Sequence, residues 1–361
     1  MSARHLFINR TLKFVIGIGS LLVSNISLAG ASHAYWIAKT HDNLNKIENY
    51  QATIEQSQSN SSIPVISQVL FNKPNNFHLT VSQPIELKGI EAGFNNHSIL
   101  LHNPNKQQAL KIDGLKSPTA ASKLEQVKSI YWYNQEYYDQ VYKPSINIAD
   151  RLSVGLDFIA KDQKNEILKT SAFVDYHHSL FMQASYSFNS GVSSQFKHTA
   201  IEFNQPQVTL PSFKVPKQTN TAYWDFNRAS LTDKQVKEKI SSAIHWPKDK
   251  NDIWGFAQHQ FYQQDNAKTA AGYFYNDAFF MIVITRPATQ NTELFQGIPL
   301  ILNDTPVSFS QFPSFSDLVF EFNGIHYTLL SNIHSQSLIN MAKEMLSQKK
   351  SNESIDLAVE S

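Results

Sequence analysis

Apolar and polar residues alternate with a period of two over much of the chain. Tyr50, Ala52 and Ile54 alternate with Gln51, Thr53 and Glu55, and Phe77, Leu79 and Val81 alternate with His78, Thr80 and Ser82. Leu152, Val154, Leu156 and Phe158 repeat the pattern, as do Leu180, Met182, Ala184, Tyr186 and Phe188. Such a period means strands with one dry and one wet face. Asn72-Lys73-Pro74-Asn75, Asn103-Pro104-Asn105 and Asn189-Ser190-Gly191 separate the runs as turns. Half-buried strands joined by short connections predict an antiparallel, curved sheet rather than βαβ units.

Helical spacing breaks the strand pattern twice in this half. Residues 36–49 carry Ile37, Leu44 and Ile47 on one side. From Ser122 to Tyr142, Leu124, Val127, Tyr131, Tyr138 and Val141 fall near one helical stripe. Six aromatics crowd that second segment: Tyr131, Trp132, Tyr133, Tyr137, Tyr138 and Tyr142. They read either as a helix packed on the sheet or as a lid over an apolar space, since Tyr and Trp have an apolar body and a polar tip.

Pro206, Pro211 and Pro216 with the polar run 217–221 form a linker, so domains are expected at 35–216 and 217–350. The second reads as a smaller α+β unit. A helix is predicted over Leu231–Ile244, capped at Thr232 and stopped by Pro247, and strands over 255–264 and 272–285. The stretch Ala278–Ile284 is almost wholly apolar and predicts a central strand. Asn323-Gly324 between two apolar runs is the sequence form of a two-residue type I′ hairpin. Its geometry places Phe322 opposite Ile325, Phe320 opposite Tyr327 and Leu318 opposite Leu329 on one face. Glu321 meets His326 on the other, as an exposed pair. A helix over Ser335–Gln348 closes the unit, and 351–361 is a polar tail.

The start of the chain changes the picture of where it works. Arg4, Arg10 and Lys13 precede an apolar run, Phe14–Val23, and Ala31-Ser32-His33-Ala34 resembles a peptidase site. This is the layout of a secretory signal, so residues 1–34 predict export with cleavage. The alternative is an inner-membrane anchor at 14–29 facing the periplasm, although the apolar stretch is short for a span. Of 361 residues, 42% are hydrophobic and 17% charged, the composition of a globular chain long enough for two cores. The absence of Cys excludes disulfides, thiolate catalysis and Cys-based metal sites. Lys plus Arg number 31 and Asp plus Glu 30, scattered along the chain, so no basic groove for nucleic acid is expected.

Catalytic motifs are missing from the sequence: there is no G-x-S-x-G, phosphate loop, G-x-G-x-x-G, H-E-x-x-H or calcium loop. His177 and His178 are adjacent, and neighbours on a strand point to opposite faces. Asp157 and Asp162 read as a strand-face residue and a turn residue. Asp175 and His177 are at most half of a triad, with no serine marked as nucleophile. A hydrolase is therefore the weakest of three readings, and neither enzyme activity nor a cofactor is expected.

The order of the motifs resembles one family. Tyr50-Gln51-Ala52-Thr53-Ile54-Glu55-Gln56 is followed by Phe71-Asn72-Lys73-Pro74-Asn75-Asn76-Phe77-His78-Leu79, close to a "KPdkFrl" element. His97–Pro104 resembles the next strand and its "dP" turn. Ile201-Glu202-Phe203-Asn204 with Phe213-Lys214-Val215-Pro216 resembles an "i..N..i....F.lP" ending. These are similar to the lipoprotein localisation factor superfamily, whose members include the outer-membrane lipoprotein carrier. The superfamily also includes a two-domain periplasmic regulator of the envelope-stress sigma factor. Tyr273-Phe274-Tyr275-Asn276-Asp277 and Gln296-Gly297-Ile298-Pro299 resemble elements of that regulator's smaller domain. The aromatic insertion at 117–145 has no counterpart in the resemblance.

The resemblance implies an α+β chain: a strongly curved, unclosed antiparallel half-barrel with covering helices, plus a smaller α+β domain built on an antiparallel sheet. It implies an apolar space that takes acyl chains or lipoproteins, and a protein partner in the inner membrane. Burying acyl carbon contributes ~0.8 kcal/mol per CH₂, enough to hold a ligand without a catalytic residue. Candidates for the lining are Phe71, Phe77, Leu79, Val81, Leu101, Tyr131, Trp132, Leu156 and Phe158. Ordinary core packing is the competing reading for each of them. Two functions stay open: a periplasmic carrier or sensor for lipid or lipidated protein, and a protein–protein module that needs no lipid.

Overall fold

The alternating runs become strands of a single open sheet. The computed structural model describes residues 33–347, apart from 62, 75, 96, 117–136, 207, 213, 229, 241–243, 248–253, 265–266, 289–296 and 313–314. The predicted signal at 1–34 and the tail at 351–361 thus fall almost wholly outside the described residues. Helix α1 spans His33–Asn45. It is followed by β1 (Asn49–Gln58), β2 (Val65–Asn72), β3 (Asn76–Gln83), β4 (Glu91–Asn95), β5 (Ser98–Asn103) and β6 (Gln108–Asp113). A second run comprises β7 (Tyr138–Ile148), β8 (Arg151–Ala160), β9 (Ile167–Asp175), β10 (Phe181–Phe188) and β11 (Ser193–Phe203).

Each run is a meander of antiparallel neighbours, and β1 pairs with β11 to join them. With β12 (Asn220–Asp225) the sheet has twelve strands, in the order β12-β6-β5-β4-β3-β2-β1-β11-β10-β9-β8-β7. It is open, with β12 and β7 at its ends, as an unclosed half-barrel requires. β12 runs parallel to β6, Trp224 opposite Ile112, so the first sheet takes a strand from beyond the expected domain boundary at 216.

Two further features depart from expectation. Residues 138–142 form the start of strand β7 rather than the end of a helix, and 122–136 of that helix lie outside the described residues. Aromatic and β-branched residues fit a pleated surface, and pairing with β8 (Tyr138 opposite Ala160, Tyr142 opposite Leu156) fixes them there. His177 and His178 sit in the turn after β9, not on a strand, so strand alternation does not govern them.

The second sheet is antiparallel with seven strands. They are β13 (Phe256–Gln264), β14 (Ala267–Tyr275), β15 (Phe280–Pro287), β16 (Ile298–Leu302), β17 (Thr305–Gln311), β18 (Ser316–Phe322) and β19 (Ile325–Ser331). The order is β13-β14-β15-β19-β18-β17-β16. The expected strand 272–285 is two strands, because Asn276 Oδ1 accepts from the amides of Ala278 (2.7 Å) and Phe279 (2.6 Å) and turns the chain. β15 is interior to the sheet and buried from Phe280 to Arg286.

The hairpin register is the expected one: Leu318, Phe320 and Phe322 stand opposite Leu329, Tyr327 and Ile325. Asn323 and Gly324 have φ of 52° and 71°, as a type I′ turn demands. The expected exposed pairing of Glu321 with His326 is not met, since only Glu321 is exposed. His326 is half-buried, and burial together with the nearby Arg286 charge pushes its pKa down to about 4.

Helix α2 spans Asp233–Lys239, shorter than predicted. Thr232 and Gln235 form a reciprocal capping box at its start. Thr232→Ala is expected to cost about 1 kcal/mol of stability, read from the urea midpoint. Helix α3 spans Ser335–Ser347 and packs on β16 and β18.

Candidate functional site

The face of the first sheet that turns inward is apolar across nearly its whole width. Its rows follow from the register. Phe71 stands opposite Phe77, Phe77 opposite Phe94, Phe94 opposite Ile99, and Ile99 opposite Ile112. A second row runs Val69, Leu79, Ala92, Leu101 and Leu110. On the other wing, Phe196, Ala184, Ala172 and Leu156 face one another in turn.

Of the sequence candidates, Phe77, Leu79, Val81, Leu101, Leu156 and Phe158 are all buried on this face. Phe71 is half-buried and stacks on Tyr50 at 5.0 Å between ring centroids. The register brings Phe71, Phe77, Leu79, Val81 and Leu101 together on β2–β5. Leu156 and Phe158 stand on β8, on the opposite wing. Tyr131 and Trp132 lie outside the described residues.

The second sheet meets this face with aromatic rings. Phe315 lies 6.1 Å from Phe77, Phe280 6.0 Å from Phe94, and Phe309 6.5 Å from Phe188. Tyr273 lies 5.0 Å from Phe226, and its hydroxyl accepts from the Lys116 amide at 2.9 Å. At the rim, the buried Glu166 carboxylate accepts from Gln336 at 2.8 Å and pairs with Lys343 on α3. The apolar residues of both sheets thus form one continuous core. Stacked and edge-on rings at these separations add to the apolar burial itself.

Buried polar side chains interrupt the apolar face on β1, β2 and β11. Gln56, Gln58, Ser67 and His198 are buried there, among Ile54, Val65 and Phe196. The sequence held a signal for three of them: the alternation Tyr50, Ala52, Ile54 extends to Gln56 and Gln58, which puts both amides on the dry side. Ser67 is signalled in the same way by its place between Val65 and Val69, whereas the place of His198 beside Ile54 follows only from register.

The other ionisable clusters read as structural. Asp157 accepts from Ser171 at 2.5 Å and pairs with Lys169 at 2.7 Å and Lys143 at 3.4 Å. Asp162 accepts from the Lys164 amide in a turn. Asp175, at the end of β9, is 1% exposed. It accepts from Arg151 Nε at 2.6 Å and from the His178 amide at 2.6 Å. Burial raises its pKa, but the Arg151 bond and the amide outweigh burial and hold the carboxyl below its ordinary range. Among the described residues no group of His, Asp and Glu could hold a metal ion.

No family model matches this chain, and no curated protein matches it in sequence. Solved structures do resemble it. A crystal structure of MucB is 10% identical and covers 88% of this chain and 97% of its own, with a TM-score of 0.43. The MucA/MucB complex of Pseudomonas aeruginosa is 10% identical, with 84% and 95% covered and a TM-score of 0.40. A LolA superfamily protein from Nitrosomonas europaea is 12% identical, with 49% and 96% covered and a TM-score of 0.25.

Proposed function

We propose that the chain is a non-enzymatic binding protein of the bacterial periplasm that holds lipid or a lipidated protein on the apolar face of its larger sheet, as a carrier or an envelope-stress sensor. The observation that carries this reading is the row-by-row apolar face of an open sheet. It comes with no catalytic constellation among the described residues. Acyl chains need an apolar surface and few polar groups. The second sheet covers much of that face through Phe280, Phe309 and Phe315, so lipid and second sheet compete for it. Export through the signal at 1–34 fits this role, and among the described residues no helix is long and apolar enough to cross a membrane.

The test is native mass spectrometry of the exported chain purified without detergent, followed by solvent extraction. A bound mass that extracts as acyl lipid is expected. A single ligand-free mass with nothing extractable would sink the proposal.

A further inference from the structure

Four buried polar residues stand side by side on the apolar face. Ile54 on β1 lies opposite Ser67 on β2 and opposite His198 on β11, so Ser67 and His198 flank it. Gln56 and Gln58 follow on the same strand and the same face. Their exposures are 0% for Ser67 and His198, 4% for Gln56 and 7% for Gln58. Both side-chain amide atoms of Gln56 and of Gln58, the Ser67 hydroxyl and His198 Nε2 are buried without a hydrogen-bond partner. A buried polar atom with no bond loses its water and gains nothing in return, and folded proteins keep few of them. Several at adjacent positions on one face, within an apolar lining, is the pattern of a ligand site: mostly apolar, with a few placed polar groups.

We propose that Gln56, Gln58, Ser67 and His198 recognise the neutral, hydroxyl-bearing head of an acyl ligand. The inference rests on the lipid-binding reading above and adds the chemistry of the head group.

The polarity of the strip selects that chemistry. His198 Nδ1 lies 3.3 Å from the Met182 carbonyl, which can only accept, so Nδ1 carries the proton and Nε2 presents a lone pair. Burial pushes the His198 pKa down to about 4, so the ring is neutral at physiological pH. No cationic side chain stands in these rows. A carboxylate or phosphate would meet a lone pair at His198 and no positive charge. A hydroxyl can donate to His198 Nε2, while the Gln amides and Ser67 offer both donors and acceptors.

The test compares monooleoylglycerol with oleate, two probes that share an acyl chain and differ in the head, on the full chain by calorimetry. Monooleoylglycerol is expected to bind about tenfold or more tightly than oleate. In Gln56→Met and His198→Phe that preference is expected to vanish. Gln56→Met removes only unpartnered atoms, so the ligand-free variant is expected to melt no lower than wild type, which separates lost recognition from lost folding. Equal binding of the two probes by wild type, or a preference that survives both variants, overturns this inference and leaves the lipid-binding reading standing. Binding of neither probe overturns both.

Discussion

Phe77→Ala is expected to lower the unfolding free energy by about 3–5 kcal/mol, the range for emptying a fully buried phenylalanine site. Phe77 is 0% exposed and stands between Phe94, 6.5 Å away in its own sheet, and Phe315, 6.1 Å away across the interface. Both neighbours are themselves buried and held by other rings, so the site collapses only in part. Equilibrium urea unfolding reads the loss. The double variant with Phe315→Ala then asks whether the sheets pack in solution as they do here. Packed rings give a coupling of roughly 0.5 kcal/mol or more, and separated sheets give plain additivity. A cost well under the expected range, with no coupling, would mean that the apolar face is an open groove. The competition between second sheet and lipid would then disappear.

What the sequence could reveal divides along physical lines. Features fixed within a few residues were legible. The hairpin register at Asn323-Gly324 follows from a two-residue turn, and the capped start at Thr232 from one side-chain contact. The inward face of β3 follows from alternation alone. Features set by distant partners were not legible. The parallel addition of β12 to β6 joins segments more than a hundred residues apart, and nothing local marks it. The aromatic segment satisfied a helical stripe as well as a strand, and only the pairing with β8 decided residues 138–142. The lining candidates Phe77, Leu79, Val81, Leu156 and Phe158 were read from alternation, which reports the dry face of a strand but not what dries it. Here the covering groups are Phe280 and Phe309 of the other sheet and Phe315 just before its strand β18. His198 could not be found from its own neighbourhood, because its place beside Ile54 depends on a bulge between Thr53 and Ile54 in the β1–β11 pairing.

Asp175→Asn is expected to cost about 3 kcal/mol at neutral pH, since it removes one member of a buried ion pair and leaves the other without its counter-charge. The Asp175 side chain is 0% exposed and Arg151 24%, with Nε and Oδ2 at 2.6 Å. The same carboxylate fastens the amides of His177 and His178, so the change also loosens the turn between β9 and β10. The His178 ring stacks on Phe203 at 4.1 Å and the Arg151 guanidinium lies over that ring at 4.6 Å, which ties β8 and the turn to β11. The dependence on pH has a definite sign. A carboxyl whose folded pKa is depressed stabilises the fold above its unfolded pKa of about 4 and loses that contribution as pH falls through the folded value. Wild type and Asp175→Asn should therefore differ most near neutrality and converge in acid. Wild type keeps some acid sensitivity from Glu91, Asp113 and Asp157, whose pKa values are also held down. Urea midpoints at neutral pH and near pH 3 measure the convergence. A gap that stayed constant with pH would mean that the charge on Asp175 contributes nothing and that only its hydrogen bonds to the turn matter.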